Sequence, residues 1–248
     1  MSGHSKWAQI KRAKGATDAK RGQLFTKLSR EITVAAREGA DPAGNARLRL
    51  AVQRARDANM PIDNIDRAIK RGSGSGDAAN YHEMWYEGYG PGGVALLVEV
   101  LTDNRNRTAA EVRSVFNRSG GNLGESGSVR WLFDSKGVIT VDATDGGADD
   151  IALAAIDAGA DDVQVIDHTL EIYTEPTALE SVRATLEQNG VSVVSSDSLL
   201  VPKTSMQVED KTAEQTLRLV DRLEELDDVQ NVYSNLDVSD EVAAALAG

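Results

Sequence analysis

The sequence of 248 residues has no cysteine and only three histidines, His4, His82 and His168. Without cysteine there is no disulfide scaffold, no thiolate zinc or iron–sulfur site and no cysteine nucleophile. The three histidines lie far apart and make no His-rich metal motif. Apolar runs are short: the longest, around GGVALLVEVL, cannot span a bilayer. The start, MSGHSKWAQIKRAKG, is polar and basic and lacks the apolar core of a signal peptide. A soluble, cytoplasmic protein with no membrane partner is the expectation. No G-x-x-x-x-G-K-[ST] loop, G-x-S-x-G elbow or HExxH pair occurs. A non-enzymatic protein with no cofactor, no metal and no small-molecule substrate is therefore expected.

What is present is an uneven charge. The formal net charge is −12. Residues 1–72 hold sixteen Lys and Arg against seven Asp and Glu, a balance of +9. The remaining residues carry −21. Asymmetry of this size fits a basic arm that meets a polyanion, attached to an acidic body. It also fits a solvated basic surface that pairs with the acidic domains, and composition alone leaves both open. If nucleic acid is bound, the acidic body repels it and the contact belongs in the first third.

Hydrophobic residues at 41% suffice for a core, and the length suits one to two domains, or three small ones. In DAKRGQLFTKLSREITVAAREGA, Leu24, Leu28, Ile32 and Ala35 recur at helical spacing, and Gly39 ends the run. A second helix is expected from Asn45 to Ala58, striped by Leu48, Val52 and Ala55. Pro61 opens a third, with Ile62, Ile65 and Ile69 on its apolar side. Arg67, Lys70 and Arg71 sit near its C-terminus, where cations favour the dipole, and Gly72 reads as its stop. GSGSGDAAN, residues 72–80, has linker composition.

Beyond residue 80 the period shortens. GVALLVEVLTD reads as a buried strand, TAAEVRSVFNRSG as a helix and SVRWLFDS as a strand. GVITVD, DDIALAAIDAGA, DDVQVID, TLEIYTE, TALESVRATLEQNG and VSVVSSDSLLV then form a strand–helix–strand–strand–helix–strand series, the ferredoxin-like split βαβ pattern. TSMQVE, TAEQTLRLVDRLEEL and VQNVYSNL complete a second such set with residues 94–135. The expected fold class is α+β. Residues 1–80 form a basic three-helix domain with its linker. Residues 81–135 and 203–240 form one ferredoxin-like sandwich, and 136–202 a second sandwich inserted in it.

The glycines of Gly88-Tyr89-Gly90-Pro91-Gly92-Gly93 precede a strand and open no helix, so they read as a tight turn, not a dinucleotide fingerprint. Lys6, Trp7, Lys11, Arg12 and Lys14 combine phosphate-neutralising charge with one stacking face. The alternative is a tail packed through Trp7. Lys20, Arg21, Lys27 and Arg30 continue the charge along the first helix. In Asp103-Asn104-Arg105-Asn106-Arg107-Thr108, Asn106 or Thr108 is a candidate helix cap. Arg105 and Arg107 there are candidates for nucleic-acid contact or for pairing with nearby acids.

These blocks resemble the YebC/PmpR family. The resemblance is carried by Gly3-His4-Ser5-Lys6-Trp7, KRGQLFTKLSREI, Ala58-Asn59-Met60-Pro61 with Asp63-Asn64-Ile65, and Arg71-Gly72. YEGYGPGGVALLVEVLTDNRNRTAAEVR and GSVRWLFDSKG carry it most strongly, and it runs from residue 3 to about 240. The segment YHEMW departs from the pattern, so His82 inherits no role. The resemblance implies a helical N-terminal domain, two α+β domains, and a cytoplasmic protein without catalysis. Bacterial members are described as DNA-binding transcriptional regulators. Mitochondrial relatives are described as translational activators, and bacterial ones have been linked to ribosomes stalled at proline-rich sequence. The implied partner is nucleic acid, either DNA or ribosomal RNA and tRNA on the ribosome. No clear helix-turn-helix spacing supports major-groove reading, whereas a basic arm with Trp7 suits structured RNA.

Overall fold

Three helices open the computed structural model, which describes residues 18–74, 81–143, 147–166, 168–239 and 242. They are α1 (Asp18–Ala35), α2 (Ala46–Asp57) and α3 (Ile62–Ser73). Their apolar stripes meet in one core built from Leu28, Ile32, Leu48, Val52, Met60 and Ile65. Each such side chain contributes about 1.5–3 kcal/mol on burial. Leu24, expected on that stripe, is instead 43% exposed. Asn45 joins two helix ends. Its Oδ1 accepts from Leu48 N at 3.0 Å, capping α2, and its Nδ2 donates to Ala35 O at 2.8 Å and Gly39 O at 2.9 Å.

Gly72 is not the stop expected of it; α3 runs on to Ser73. Its role is close approach. A Cβ there would lie 2.2 Å from Thr33 O and 2.8 Å from the Ala36 Cβ.

After α3 the chain forms β1 (His82–Tyr89), β2 (Ala95–Thr102), α4 (Arg105–Arg118) and the short β3 (Asn122–Leu123). Next come β4 (Phe133–Asp142), α5 (Ala148–Asp157), β5 (Asp162–Ile166), β6 (Thr169–Thr174), α6 (Leu179–Gln188) and β7 (Val193–Pro202). The described chain continues with β8 (Met206–Gln207), α7 (Asp210–Glu224), β9 (Val229–Ser234) and β10 (Leu236–Asp237). The fold class is α+β, with a helical region ahead of the sheets. Among the described residues no helix is long and apolar enough to cross a membrane.

Two compact units result, Phe133–Val201 and the chain on either side of it. Within the first unit the sheet order is β5-β6-β4-β7. β6 runs antiparallel to both β4 and β5, so the βαβ pair is split as in a ferredoxin-like sheet. Ile139, Val141, Leu170, Ile172, Val182 and Leu186 are buried there.

The other unit holds the helical region and a second sheet, ordered β3-β1-β2-β9 and antiparallel throughout. Its core includes Leu96, Val98 and Val100 of β2, Val112 and Phe116 of α4, and Leu217 and Leu223 of α7. The strand set differs from expectation. SVRWLFDS is no strand of this sheet: Arg130–Leu132 is a 3-10 turn, and Phe133 begins β4 of the first unit. TSMQVE reduces to β8, which pairs with β10 outside the four-stranded sheet. The sheet takes β1 instead, a strand whose Glu83, Glu87 and Gly88 disguise it. Glu87 is buried because the loop beyond β3 wraps it. Gly127 N, Val129 N and Arg130 N donate to its carboxylate at 2.6, 2.7 and 2.8 Å. Burial alone would raise its pKa; these three donors and the Arg130 charge hold it below the ordinary range. The glycine run forms the turn into β2, as read, with Gly92 and Gly93 at φ 74° and 81°.

Candidate nucleic-acid interface

Of the basic residues expected at the interface, Lys6, Trp7, Lys11, Arg12 and Lys14 lie outside the described residues, as does the side chain of Lys20. Arg21 stands exposed on α1. Lys27 and Arg30 do not point freely to solvent. They turn inward and dock α1 on the C-terminal end of α7, whose last carbonyls lack helical partners. Lys27 Nζ donates to Glu224 O at 2.6 Å, and Gln23 Nε2 to Glu225 O at 2.7 Å. Arg30 donates to Asp227 O and, at 3.1 Å, to Asp228 Oδ1. Its guanidinium also lies 5.7 Å from the Tyr81 ring centre. Burial lowers the Lys27 ammonium from 10.5 to about 8; Asp227 opposes this and Arg30 adds to it.

Asp228 is the hub of this junction and is buried. Besides Arg30 it accepts from Arg107 Nη2 at 2.7 Å, Thr108 Oγ1 at 2.6 Å and Thr102 Oγ1 at 3.0 Å. Its burial would raise the pKa; the hydrogen bonds of Arg107, Thr108 and Thr102 and the Arg107 charge outweigh that and lower it. Arg107 also pairs with Asp103 at 2.9 Å. Arg105 Nη2 lies 2.9 Å from His82 Nδ1. The cap of α4 is Asn104, which accepts from Arg107 N at 3.1 Å, not Asn106 or Thr108. The structure thus brings Arg30 and Arg107 together on one buried carboxylate, with Arg107 itself exposed.

The remaining cations divide by their partners. Arg47 pairs with Glu83, Arg54 with Glu31, Arg183 with Glu187 and Lys136 with Asp161 and Glu175. Arg21, Arg56, Lys70 and Arg71 of the helical region are exposed with no carboxylate partner among the described residues, as are Arg113, Arg118, Lys211 and Arg222 beyond it. Arg67 and Arg71 flank a groove of about 250 Å³ between α1 and α3. Phe25, Thr26 and Ser29 of α1 and Asn64 and Ala68 of α3 complete its lining, with no acidic residue. By local pattern, Arg67, Lys70 and Arg71 are charges that complement a helix dipole. The sign missed was their spacing: residues 67 and 71 fall one turn apart on a single helix face.

A basic helical region joined to two α+β sheets, one of them carried on an inserted segment, is the class this architecture defines. Residues 5–75 match the model of the TACO1/YebC protein N-terminal domain, and residues 81–236 match that of the TACO1/YebC second and third domain. The chain belongs to the TACO1/YebC family. It is 56% identical over 243 residues to a protein of Dehalococcoides mccartyi, covering 98% of this chain and 97% of the relative. A Rubrobacter xylanophilus protein is 55% identical over 250 residues, with both chains fully covered. Both are named probable transcriptional regulatory proteins. Among solved structures, a conserved hypothetical protein of Aquifex aeolicus superposes with a TM-score of 0.83 at 46% identity, covering 90% of this chain and 93% of that one.

Proposed function

We propose that this protein is a non-enzymatic regulatory protein that binds nucleic acid through its helical region, and that duplex DNA is its target in regulating transcription. The observation that carries the reading is the asymmetry of net charge along the chain. Residues 1–72 are net positive by nine, and Arg21, Arg56, Lys70 and Arg71 stand exposed there. The rest of the chain carries −21. Phosphate contacts from such a surface give affinity and little sequence information. The acidic remainder repels a polyanion, which leaves the contact to the helical region. The names of the relatives support the regulatory part of the reading.

The test is binding of the whole protein to random duplex DNA beside sedimentation with ribosomes, at one physiological salt concentration. Measurable duplex binding that falls steeply with salt supports the reading. Tight ribosome association with negligible duplex binding replaces it with action in translation.

A further inference from the structure

We propose that the groove between α1 and α3 seats a backbone phosphate of the bound nucleic acid. The proposal rests on the nucleic-acid reading and gives it a specific site. Arg67 and Arg71 stand one turn apart at its rim. Arg67 is oriented by its own helix: Nε donates to Asp63 O at 3.0 Å, and Nη2 to Asn64 Oδ1. That leaves Nη1 for a ligand, on a guanidinium held in place before the ligand arrives. The Arg71 guanidinium has no partner among the described residues, so its whole fork is available to an oxyanion.

The opposite wall adds one neutral donor. Ser29 and Thr26 line the groove from α1. Thr26 Oγ1 is engaged with Gly22 O at 3.0 Å, whereas the Ser29 hydroxyl has no partner among the described residues. Phe25 provides an apolar wall beside them, suited to a sugar or base edge next to the phosphate. No carboxylate lines the groove to repel an anion. The cleft formed by the C-terminal ends of α4 and α7 offers a contrast. Arg118 and Arg222 line it, but Glu225 lines it too, and helix C-termini present negative dipole ends there. Arg222 there donates to Ser119 Oγ at 3.1 Å.

The experiment titrates the full chain with a short random DNA duplex and with a short single-stranded RNA, across a salt series. Arg71→Ala is expected to weaken binding roughly tenfold and to reduce the salt slope by about 1. Ser29→Ala is expected to weaken binding with the slope unchanged, since it removes a neutral donor. Arg71→Lys restores the slope without the full affinity. Arg118→Ala leaves both unchanged. The probe whose affinity responds identifies the source of the phosphate. If wild type binds and Arg67→Ala and Arg71→Ala bind equally well with the same slope, the groove is not the seat, while the nucleic-acid reading stands. If affinity falls only in step with melting temperature and the slope holds, Arg71 is a packing residue and the proposal is overturned. If wild type binds neither probe, the broader reading fails with it.

Discussion

Arg30 and Asp228 are 198 residues apart in sequence and joined by a 3.1 Å ion pair. The pair ties the first described helix to the segment between α7 and β9. A cation that charge patterning assigns to phosphate is therefore committed to holding two regions of the protein together.

Replacing Asp228 by alanine is expected to destabilise the protein by about 3–5 kcal/mol. It strips Arg30, Arg107, Thr102 and Thr108 of their common acceptor, and the two threonine hydroxyls are in a buried setting. The Asp228 pKa is depressed by folding, so its contribution is full above the ordinary aspartate range and is lost as pH falls through that range and below. Thermal unfolding of wild type and Asp228→Asn across acid pH measures this. A stability gap between them that does not narrow toward low pH counts against the hub.

Lys27 gives the opposite sign on the alkaline side. Its pKa falls from 10.5 to about 8 on folding, so the unfolded chain binds this proton more tightly between those values. Stability attributable to Lys27 therefore rises as pH goes from about 8 to 10.5. The difference in unfolding free energy between wild type and Lys27→Met is expected to move in favour of wild type over that window. A flat difference would show that Lys27 is not desolvated.

Gly72→Ala lowers the melting temperature. Alanine gains up to about 1 kcal/mol of helix propensity. The added Cβ, however, meets the Thr33 carbonyl at 2.2 Å, and backbone cannot rotate away as a side chain can. Forcing α1 from α3 costs about 1–3 kcal/mol. A variant that melts higher than wild type would refute the close approach.

Replacing Phe133–Val201 by a short Gly/Ser linker is expected to leave the flanking chain folded. Lys203 N donates to Leu132 O at 2.8 Å, so the residues at the two junctions already meet. Circular dichroism with a cooperative melt is the readout, and a coil spectrum would reject the inserted unit as a separable domain.

The helices were legible because their stripes repeat: Leu28, Ile32, Leu48, Val52 and Ile65 fall on one core. The series from β4 to β7 was legible for the same reason, each strand being a short apolar run bounded by turns. β1 was not, because its alternation is interrupted by Glu87, a buried carboxylate whose partners lie some 40 residues on. The candidate site divided the same way. Net charge located the helical region, yet no local pattern told Arg71, left unmatched, from Arg30 and Arg107, which meet at Asp228. That distinction depends on a carboxylate distant in sequence from both.

On the reading proposed above, the N-terminal basic segment binds nucleic acid through phosphates. The most direct measurement is the salt dependence of affinity for random duplex DNA, comparing wild type with the triple reversal of Lys11, Arg12 and Lys14 to Glu. Each neutralised phosphate contributes a slope of about −0.9 in log affinity against log salt. Weaker binding of every duplex and a flatter slope are expected for the triple variant, at an unchanged melting temperature. Equal affinity and equal slope in the two proteins would contradict it.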